Sequence, residues 1–259
     1  MNSVERFGDV EVNRGDDFVA TVEIQRGPNN FFDQQMIADL ATAFEQLDVS
    51  TTCRVAVLCS QGKHFCAGAH FHAPAGEEKT IERHLYDEAV RLFATKTPVV
   101  AAIQGAAVGG GLGLALWADF RVGCRESRFT ANFARLGFHH GFGISVTLPA
   151  VVGKQRALEM LYTGQRLKGD EAFAIGLCDA LVELSDLRAE AHARALEIAR
   201  SAPLAIDSIR TTMRGDLPGL IRTATDRERA EQNRLIETAD FREGVAAMTD
   251  RRLPHFVGH

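Results

Sequence analysis

The chain has 259 residues, of which 46% are hydrophobic and 24% are charged, the usual balance of a globular protein. This composition excludes an intrinsically disordered chain, and the length allows a core that needs no disulfide or metal ion. The formal net charge of −5 gives no electrostatic reason to expect binding to nucleic acid.

The cysteines and the N-terminus indicate a reducing compartment. The five cysteines are Cys53, Cys59, Cys66, Cys124 and Cys178. Their number is odd and none are spaced C-x-x-C, which predicts free thiols of a cytoplasmic protein. The N-terminal sequence MNSVERFGDV has no apolar core, so no secretory signal is expected. His64, His70 and His72 are close in sequence, but their loop lacks metal-ligand spacing and we predict no metal site.

The first half of the chain predicts strands alternating with helices. Residues Val19–Ile24 alternate weakly between apolar and polar and predict a strand. Asp33 can cap a helix. The apolar face of that helix has helical spacing and consists of Met36, Ile37, Leu40, Ala43, Phe44 and Leu47. The apolar runs Val55–Cys59 and Pro98–Ile103 are typical of strands that are buried on both faces.

The uncharged segment Pro98–Ala118 is about long enough to span a bilayer. However, five glycines fall between Gly105 and Gly113, and glycine weakens a helix. We therefore predict a buried strand, a glycine turn and a helix, and no membrane association.

The second half becomes helical. Short strands are predicted at Phe120–Val122 and Arg128–Thr130, and a glycine-rich loop at Gly137–Gly143. Helical patterns follow at Lys154–Leu161, Asp186–Ala199, Ala205–Met213, Ile221–Ile236 and Phe241–Met248. These patterns predict an α/β core over residues 1–182 and a helical region over residues 183–259.

Several common catalytic motifs are absent from the sequence. There is no GxxxxGK[ST] phosphate loop, no GxSxG nucleophile elbow and no HExxH zinc motif. The glycines between Gly109 and Gly113 lack the GxGxxG spacing of a dinucleotide site. The sequence thus excludes the classes of enzyme that these motifs define.

Two segments combine a buried strand, a run of small residues and a helix. They are VAVLCSQGKHFCAGAHF at 55–71 and PVVAAIQGAAVGGGLGLAL at 98–116. Helix starts leave peptide N–H groups free, and two such groups that converge can bind a developing oxyanion. From the spacing alone, the glycines can equally well serve only to turn the chain.

Four segments, in order, resemble the crotonase superfamily, also called the enoyl-CoA hydratase/isomerase family. GKHFCAGAHF is similar to its G-K-x-F-C-A-G-A-D-[LI] loop, and PVVAAIQGAAVGGGLGLALWAD to its P-x-[IV]-A-A-[IV]-x-G-x-[AC]-x-G-G-G-x-E segment. LYTGQRLKGDEAFAIGLCDALV and the tail ADFREGVAAMTDRRLPHFVGH match two further motifs. The resemblance covers nearly the whole chain.

This resemblance implies a crotonase-like spiral of ββα units, an acyl-CoA thioester as substrate, and a trimer or dimer of trimers formed by the helical region. It implies an oxyanion hole from the peptide N–H groups of Ala67 and Gly110, with Gly68, Ala69 and His70 completing the substrate-binding loop. Coenzyme A enters as part of the substrate, and no separate cofactor, nucleic acid or membrane is expected.

The sequence departs from the family where hydratases have two glutamates. Gly113 stands at the first position and Phe133 at the second, both within the predicted substrate site. Neither residue can transfer a proton, and general acid–base catalysis contributes roughly 10²–10⁴-fold per step. Ordinary hydration is therefore not expected.

Two histidines stand in the loop that follows, where the family usually has proline. His140 takes the proline position and His139 precedes it. A histidine titrating near neutrality can act as a base, so His140 is a candidate catalytic residue, although both histidines can simply form a turn. Two interpretations stay open: an enzyme that uses an intact oxyanion hole for hydrolysis, decarboxylation, C–C cleavage or double-bond migration, or a non-catalytic acyl-CoA-binding protein.

Overall fold

The computed structural model describes residues 4–69 and 83–259 as an α/β protein with two sheets. The strands are β1 (Val4–Phe7), β2 (Val10–Arg14), β3 (Val19–Ile24), β4 (Val55–Ser60), β5 (Val99–Ile103), β6 (Ala106–Val108), β7 (Phe120–Cys124), β8 (Arg128–Thr130), β9 (Arg166–Lys168) and β10 (Ala180–Val182). The helices are α1 (Gln34–Asp48), α2 (Leu85–Phe93), α3 (Gly110–Trp117), α4 (Ile144–Val152), α5 (Lys154–Thr163), α6 (Gly169–Ala174), α7 (Leu187–Ala199), α8 (Pro203–Arg214), α9 (Leu217–Leu235) and α10 (Ala239–Thr249).

The larger sheet has seven strands in the order β1-β2-β3-β4-β5-β7-β10. Strands β1 to β3 pair antiparallel, and the pairs from β3 to β10 are parallel. The smaller sheet has the order β6-β8-β9, so the chain passes from the larger to the smaller sheet after β5 and after β7, and returns after β6 and after β9. The crotonase-like α/β fold that the sequence predicted is confirmed by this arrangement and by the structural neighbours described below.

The buried strands and the first helix form as the sequence predicted. Every residue of β4 and of β5 is buried, because these strands lie in the middle of the sheet and are covered on both faces. Helix α1 begins after Asp33, whose Oδ1 accepts a hydrogen bond from the N–H of Met36 at 2.9 Å.

The uncharged segment Pro98–Ala118 is divided into β5, β6 and α3, as its glycines predicted. Gly105 between the two strands takes a φ of 55°, and a Cβ there would lie 2.2 Å from the carbonyl oxygen of Lys63. Only glycine fits this close approach of two backbones. In the described parts of the chain, no helix has the length and apolar character that crossing a bilayer requires.

The chain is helical after β10, apart from a short 3-10 turn, and ends without further strands in the described residues. Helix α7 packs under the large sheet, where Leu187, Ala191, Ala195 and Ala199 join a core cluster with residues such as Val100. The sequence boundary at residue 182 therefore marks the end of the strands, but α7 belongs to the core. A role of residues 183–259 in oligomerisation stays a prediction.

Helix α9 joins the C-terminal part to the core. Arg222 forms an ion pair with Asp87 of α2, and Glu228 accepts hydrogen bonds at the start of α4. Gln232, one turn further, bonds Tyr86 of α2. These contacts make α9 one wall of the cavity described next.

Candidate active site

The two segments that the sequence singled out lie side by side. The N–H of Cys66 donates to the carbonyl of Ala106 at 2.9 Å, and the N–H of Val108 donates to the carbonyl of Cys66 at 3.0 Å. This is a parallel bridge in which Cys66 is opposite Ala107. Continuing the same offset by three residues brings Ala69 opposite Gly110.

Ala69 and Gly110 each follow a glycine whose φ lies in the left-handed region. Gly68 has a φ of 96° and Gly109 a φ of 55°. A Cβ on Gly68 would lie 3.0 Å from the carbonyl oxygen of Val108, so a side chain would push the two segments apart. The glycines are therefore required both by the backbone conformation and by the close packing of the two turns.

The peptide N–H groups of Ala69 and Gly110 have no hydrogen-bond partner within residues 4–69 and 83–259. Gly110 is the first residue of α3, where N–H groups lack intrahelical acceptors and carry the positive partial charge of the helix. Both residues border a cavity of about 390 Å³. Two unpartnered donors at one cavity can bind an oxygen that becomes negatively charged.

Ala67 does not provide the donor that the sequence analysis assigned to it. Its N–H already donates to the carbonyl of Asn29 at 3.0 Å. The assignment of this amide to the oxyanion is therefore wrong in the structure, although Ala67 and Gly68 both line the cavity and their predicted role in substrate binding stays a prediction. His70, also predicted as a substrate-binding residue, lies outside the described residues.

Gly113 has no room for the glutamate found at this position in family hydratases. A Cβ there would lie 2.8 Å from Cβ of Phe142 and 2.9 Å from its Cδ1. Phe142 is buried and packs edge-on against Phe32, with ring centroids 5.8 Å apart. The phenylalanine fills the space beside α3, so Gly113 contributes close packing and is not among the residues that line the cavity.

Phe133 lines the cavity, as predicted. It lies in the 3-10 turn Asn132–Leu136, and its ring would be 3.5 Å from a Cβ on Gly109, so it packs beside the turn that precedes Gly110. The side chain of the adjacent Asn132 also borders the cavity. Asn132 can donate and accept hydrogen bonds near the two amides, but it cannot take up a proton.

His140 does not line this cavity, although its ring packs edge-on against Phe133 of the cavity wall, with ring centroids 6.4 Å apart. His139 and His140 stack on each other with ring centroids 4.1 Å apart and line a second cavity of about 740 Å³. Nε2 of His140 lies 2.9 Å from Oγ of Ser145. The predicted catalytic role of His140 is therefore not supported by its position.

The burial of His140 has a consequence for stability. Burial, with a smaller contribution from His139, lowers the pKa of His140 from 6.5 to about 4. A histidine with a lowered pKa binds its proton more readily in the unfolded chain. Its contribution to stability is therefore complete above pH 6.5 and is lost as the pH falls toward 4.

When the pH is lowered from 6.5 to 4, we expect the free energy of unfolding to fall less in the His140→Gln variant than in the wild type. The difference should approach roughly 3 kcal/mol in the free energy of unfolding, since one pKa unit corresponds to about 1.4 kcal/mol. Urea denaturation at several pH values measures it. Equal pH slopes for the two proteins would contradict this account of His140.

Two polar residues of the cavity could not be identified from sequence patterns. The Tyr86 hydroxyl donates to Oε1 of Gln232 at 2.6 Å, and Nε2 of Gln232 donates to the carbonyl of His139 at 2.9 Å. Burial, together with Glu228, raises the pKa of Tyr86, so its hydroxyl stays neutral. Tyr86 and Gln232 are 146 residues apart, and only the fold brings them to one cavity.

Cys66 also lies close to the two turns, but its thiol is not a candidate nucleophile. The side chain is fully buried, and this burial raises the pKa of the thiol to about 12. Since the thiolate is the reactive form, Cys66 is an inert core residue. Its backbone, rather than its sulfur, serves the site.

The fold and the site together define an α/β protein in which two backbone N–H groups without a partner in the described residues border one largely apolar cavity. The family model described as enoyl-CoA hydratase/isomerase matches residues 14–259. The chain therefore belongs to this enzyme family, whose members act on CoA thioesters by hydration or isomerisation.

Individual relatives extend over most of the chain. The 1,2-epoxyphenylacetyl-CoA isomerase of Escherichia coli is 30% identical over 88% of this chain and 90% of its own length. A probable enoyl-CoA hydratase of Rhodobacter capsulatus is 32% identical over 79% of this chain and 81% of its own. The crystal structure of an enoyl-CoA hydratase/isomerase from Pseudoalteromonas atlantica T6c has a TM-score of 0.87 at 26% identity, covering 96% of this chain and all of that one.

Proposed function

We propose that this protein binds an acyl-CoA thioester and stabilises negative charge on the thioester oxygen with the N–H groups of Ala69 and Gly110. The observation that carries the proposal is the pair of unpartnered amides, each after a left-handed glycine and related by one strand register. When a thioester becomes an enolate, charge moves onto this oxygen. Fixed donors then favour the charged state over the bound substrate.

The reaction we propose is an enolate-forming conversion that needs no protein base, such as loss of CO₂ from a carboxylate on the α-carbon, in which the electron pair of the broken C–C bond passes into the enolate; we do not propose ordinary hydration. Hydration requires an acid and a base around one water molecule. In the part of the chain that the structure describes, the cavity is lined by no aspartate, glutamate, histidine, lysine or cysteine. Phe142 blocks the space beside Gly113, and Phe133 occupies the second position.

A second candidate is a protein that binds acyl-CoA without converting it. The same observation favours it, because the described lining of the cavity contains no side chain that exchanges protons near neutral pH. The two candidates share the ligand and differ in turnover. Incubation with a panel of acyl-CoA thioesters, with mass spectrometric detection of products, separates them: any new thioester product supports the enzyme.

We expect crotonyl-CoA to bind without being hydrated at an appreciable rate. Titration calorimetry should give a dissociation constant in the micromolar range, which corresponds to a binding free energy of about −8 kcal/mol. Turnover of crotonyl-CoA at about 10 s⁻¹ or faster, the typical range of an efficient enzyme, would contradict the absence of an acid–base pair. Absence of binding to both acetyl-CoA and crotonyl-CoA would contradict the proposed function itself.

We propose that the chain forms a trimer or a dimer of trimers. Helix α8 has no buried residue, and Leu204 and Met213 on it are 84% and 80% exposed. Leu220 of α9 and Ile236, which directly follows that helix, are also exposed, whereas Ile221 is buried inside the chain. Such an apolar surface suits subunit contacts. Light scattering at micromolar concentration should give three or six chains, and a monomer mass would contradict the proposal.

We further propose a reducing compartment such as the cytoplasm. All five cysteines are buried free thiols in the structure. Disulfides are rare where glutathione and thioredoxin keep thiols reduced, so this pattern fits an intracellular location. Coenzyme A is proposed to enter only as part of the substrate.

A further inference from the structure

The cavity beside Ala69 and Gly110 is unusually rich in aromatic rings. Of the 18 described residues that line it, 6 are aromatic, whereas aromatic residues make up 7% of the chain. The six are Phe31, Phe32, Tyr86, Phe133, Phe138 and Phe142. This enrichment predicts that the cavity prefers an acyl group that carries an aromatic ring.

The rings are arranged to receive another ring. Phe32 and Phe142 meet edge to face, with an interplanar angle of 62°. The ring of Phe32 lies against Gly110, where a Cβ would be 2.2 Å from its Cζ. Aromatic pairs prefer such edge-to-face or offset contacts and gain from them beyond the buried area. A planar ring attached near the thioester can therefore pack among these phenylalanines.

A second wall of the cavity, formed by α2 and α9, is polar. There the Tyr86 hydroxyl is bonded to Oε1 of Gln232, and Nε2 of Gln232 is bonded to the carbonyl of His139. A carboxamide nitrogen carries two hydrogens, and in residues 4–69 and 83–259 only one of those on Gln232 has an acceptor. The remaining N–H is a donor for a ligand.

We propose that the substrate carries an aromatic acyl group with a hydroxyl substituent, a hydroxyaryl-acyl CoA thioester. The ring lies among the phenylalanines and the hydroxyl accepts a hydrogen bond from Gln232. This inference rests on the proposed function, since the thioester oxygen must be held by Ala69 and Gly110.

Other acyl groups satisfy the cavity less well. A straight alkyl chain fills apolar space but gains no ring contacts. Both an alkyl chain and an unsubstituted ring cover the polar wall without bonding to it, and a polar group removed from water without a partner costs free energy. The expected order of affinity is hydroxyaryl, then aryl, then alkyl.

The test is titration calorimetry with 4-hydroxyphenylacetyl-CoA, phenylacetyl-CoA and octanoyl-CoA, whose acyl groups all have eight carbons. We expect the hydroxyl to strengthen binding by about tenfold, the value of one hydrogen bond. We expect phenylacetyl-CoA in turn to bind more tightly than octanoyl-CoA.

Two variants locate the effect. Gln232→Met removes the amide, and Tyr86→Phe removes the hydroxyl that orients it but keeps the ring. Gln232→Met should abolish the tenfold preference while phenylacetyl-CoA still binds more tightly than octanoyl-CoA. Tyr86→Phe, which leaves the amide in place, should reduce the hydroxyl preference only in part. Thermal denaturation identifies any variant that fails to fold, and the other variant then decides.

The outcomes distinguish this inference from the proposed function. If octanoyl-CoA binds most tightly, or if the hydroxyl preference survives in Gln232→Met, the inference is overturned while thioester binding stands. If none of the three thioesters binds to the wild-type protein, the proposed function fails and the inference fails with it.

Discussion

An ester in place of the peptide N–H of Ala69 should lower the turnover of a CoA thioester by roughly 10²–10³-fold, the usual effect of removing one oxyanion donor. Incorporation of lactic acid at this position removes the N–H and keeps the methyl group. The amide has no partner within the described residues, so the folded state loses no internal hydrogen bond. The ester also weakens the Gly68 carbonyl as the acceptor of the Phe32 N–H, a bond of 3.0 Å, so the free energy of unfolding should fall only slightly.

The same ester at Ala67 is the matched control. There the N–H donates to the carbonyl of Asn29, so its removal should cost about 1 kcal/mol of stability and leave turnover nearly unchanged. The ester at Ala69 is thus expected to reduce mainly turnover, and the ester at Ala67 mainly stability. The reverse pattern would restore Ala67 as the donor.

A spectroscopic measurement makes this test independent of the true substrate. Donors at the thioester oxygen polarise the carbonyl, which shifts its infrared stretch and the ¹³C resonance of a labelled carbonyl in bound phenylacetyl-CoA. We expect the shift to be reduced by the ester at Ala69 and retained with the ester at Ala67. Equal shifts in both would contradict the role of Ala69.

Loss of the Glu228 carboxylate should lower the free energy of unfolding substantially. Glu228 is 1% exposed and accepts hydrogen bonds from the N–H of Gly143 at 2.9 Å, from the N–H of Ser145 at 3.2 Å and from the Ser145 hydroxyl. It caps α4 from α9. Glu228→Ala leaves the buried N–H of Gly143 without an acceptor and removes the acceptor of both donors of the more exposed Ser145, which should cost about 3 kcal/mol and lower the melting temperature by roughly 10 °C.

Glu231→Ala is the matched control on the same helix. Its carboxylate forms exposed ion pairs with Arg227 and Arg234, and such pairs contribute little. The melting temperature of Glu231→Ala should equal that of the wild type. Glu228→Ala should in addition weaken thioester binding, because the loop that it holds includes Gly141 and Phe142 of the cavity wall. Equal melting temperatures for the two variants would show that the cap is unimportant.

The missing acid–base pair was visible in the sequence, but its structural cause was not. Gly113 and Phe133 stand where the resembling family has glutamates, and this follows from aligning two motifs. The contact of Phe142 with Gly113 depends on how the loop before α4 packs against α3. A glutamate at position 113 therefore requires a second change at Phe142.

Elements with strong local signals could be predicted, and weakly patterned ones could not. Buried strands such as β4 and capped helices such as α1 follow from hydrophobic runs and from Asp33. Helix α4, with Pro149 inside it, has too irregular a pattern to define a period, and of the four three-residue strands only β8 was predicted, whereas β6, β9 and β10 were not. Their formation depends on neighbouring strands and on tertiary packing.

The sequence by itself determined the α/β class, the four motifs of the family and the glycine turn before Gly110. Tertiary packing settles which amides are already bonded: Gly68, with its φ of 96°, turns the chain between Ala67 and Ala69, and in the described residues the N–H of Ala67 donates to Asn29 whereas that of Ala69 has no partner. It also placed His140 in another cavity and joined Tyr86 to Gln232. The physical reason is that periodicity and turn residues act over a few positions, whereas the direction of an N–H and the meeting of distant side chains depend on the packing of the whole chain.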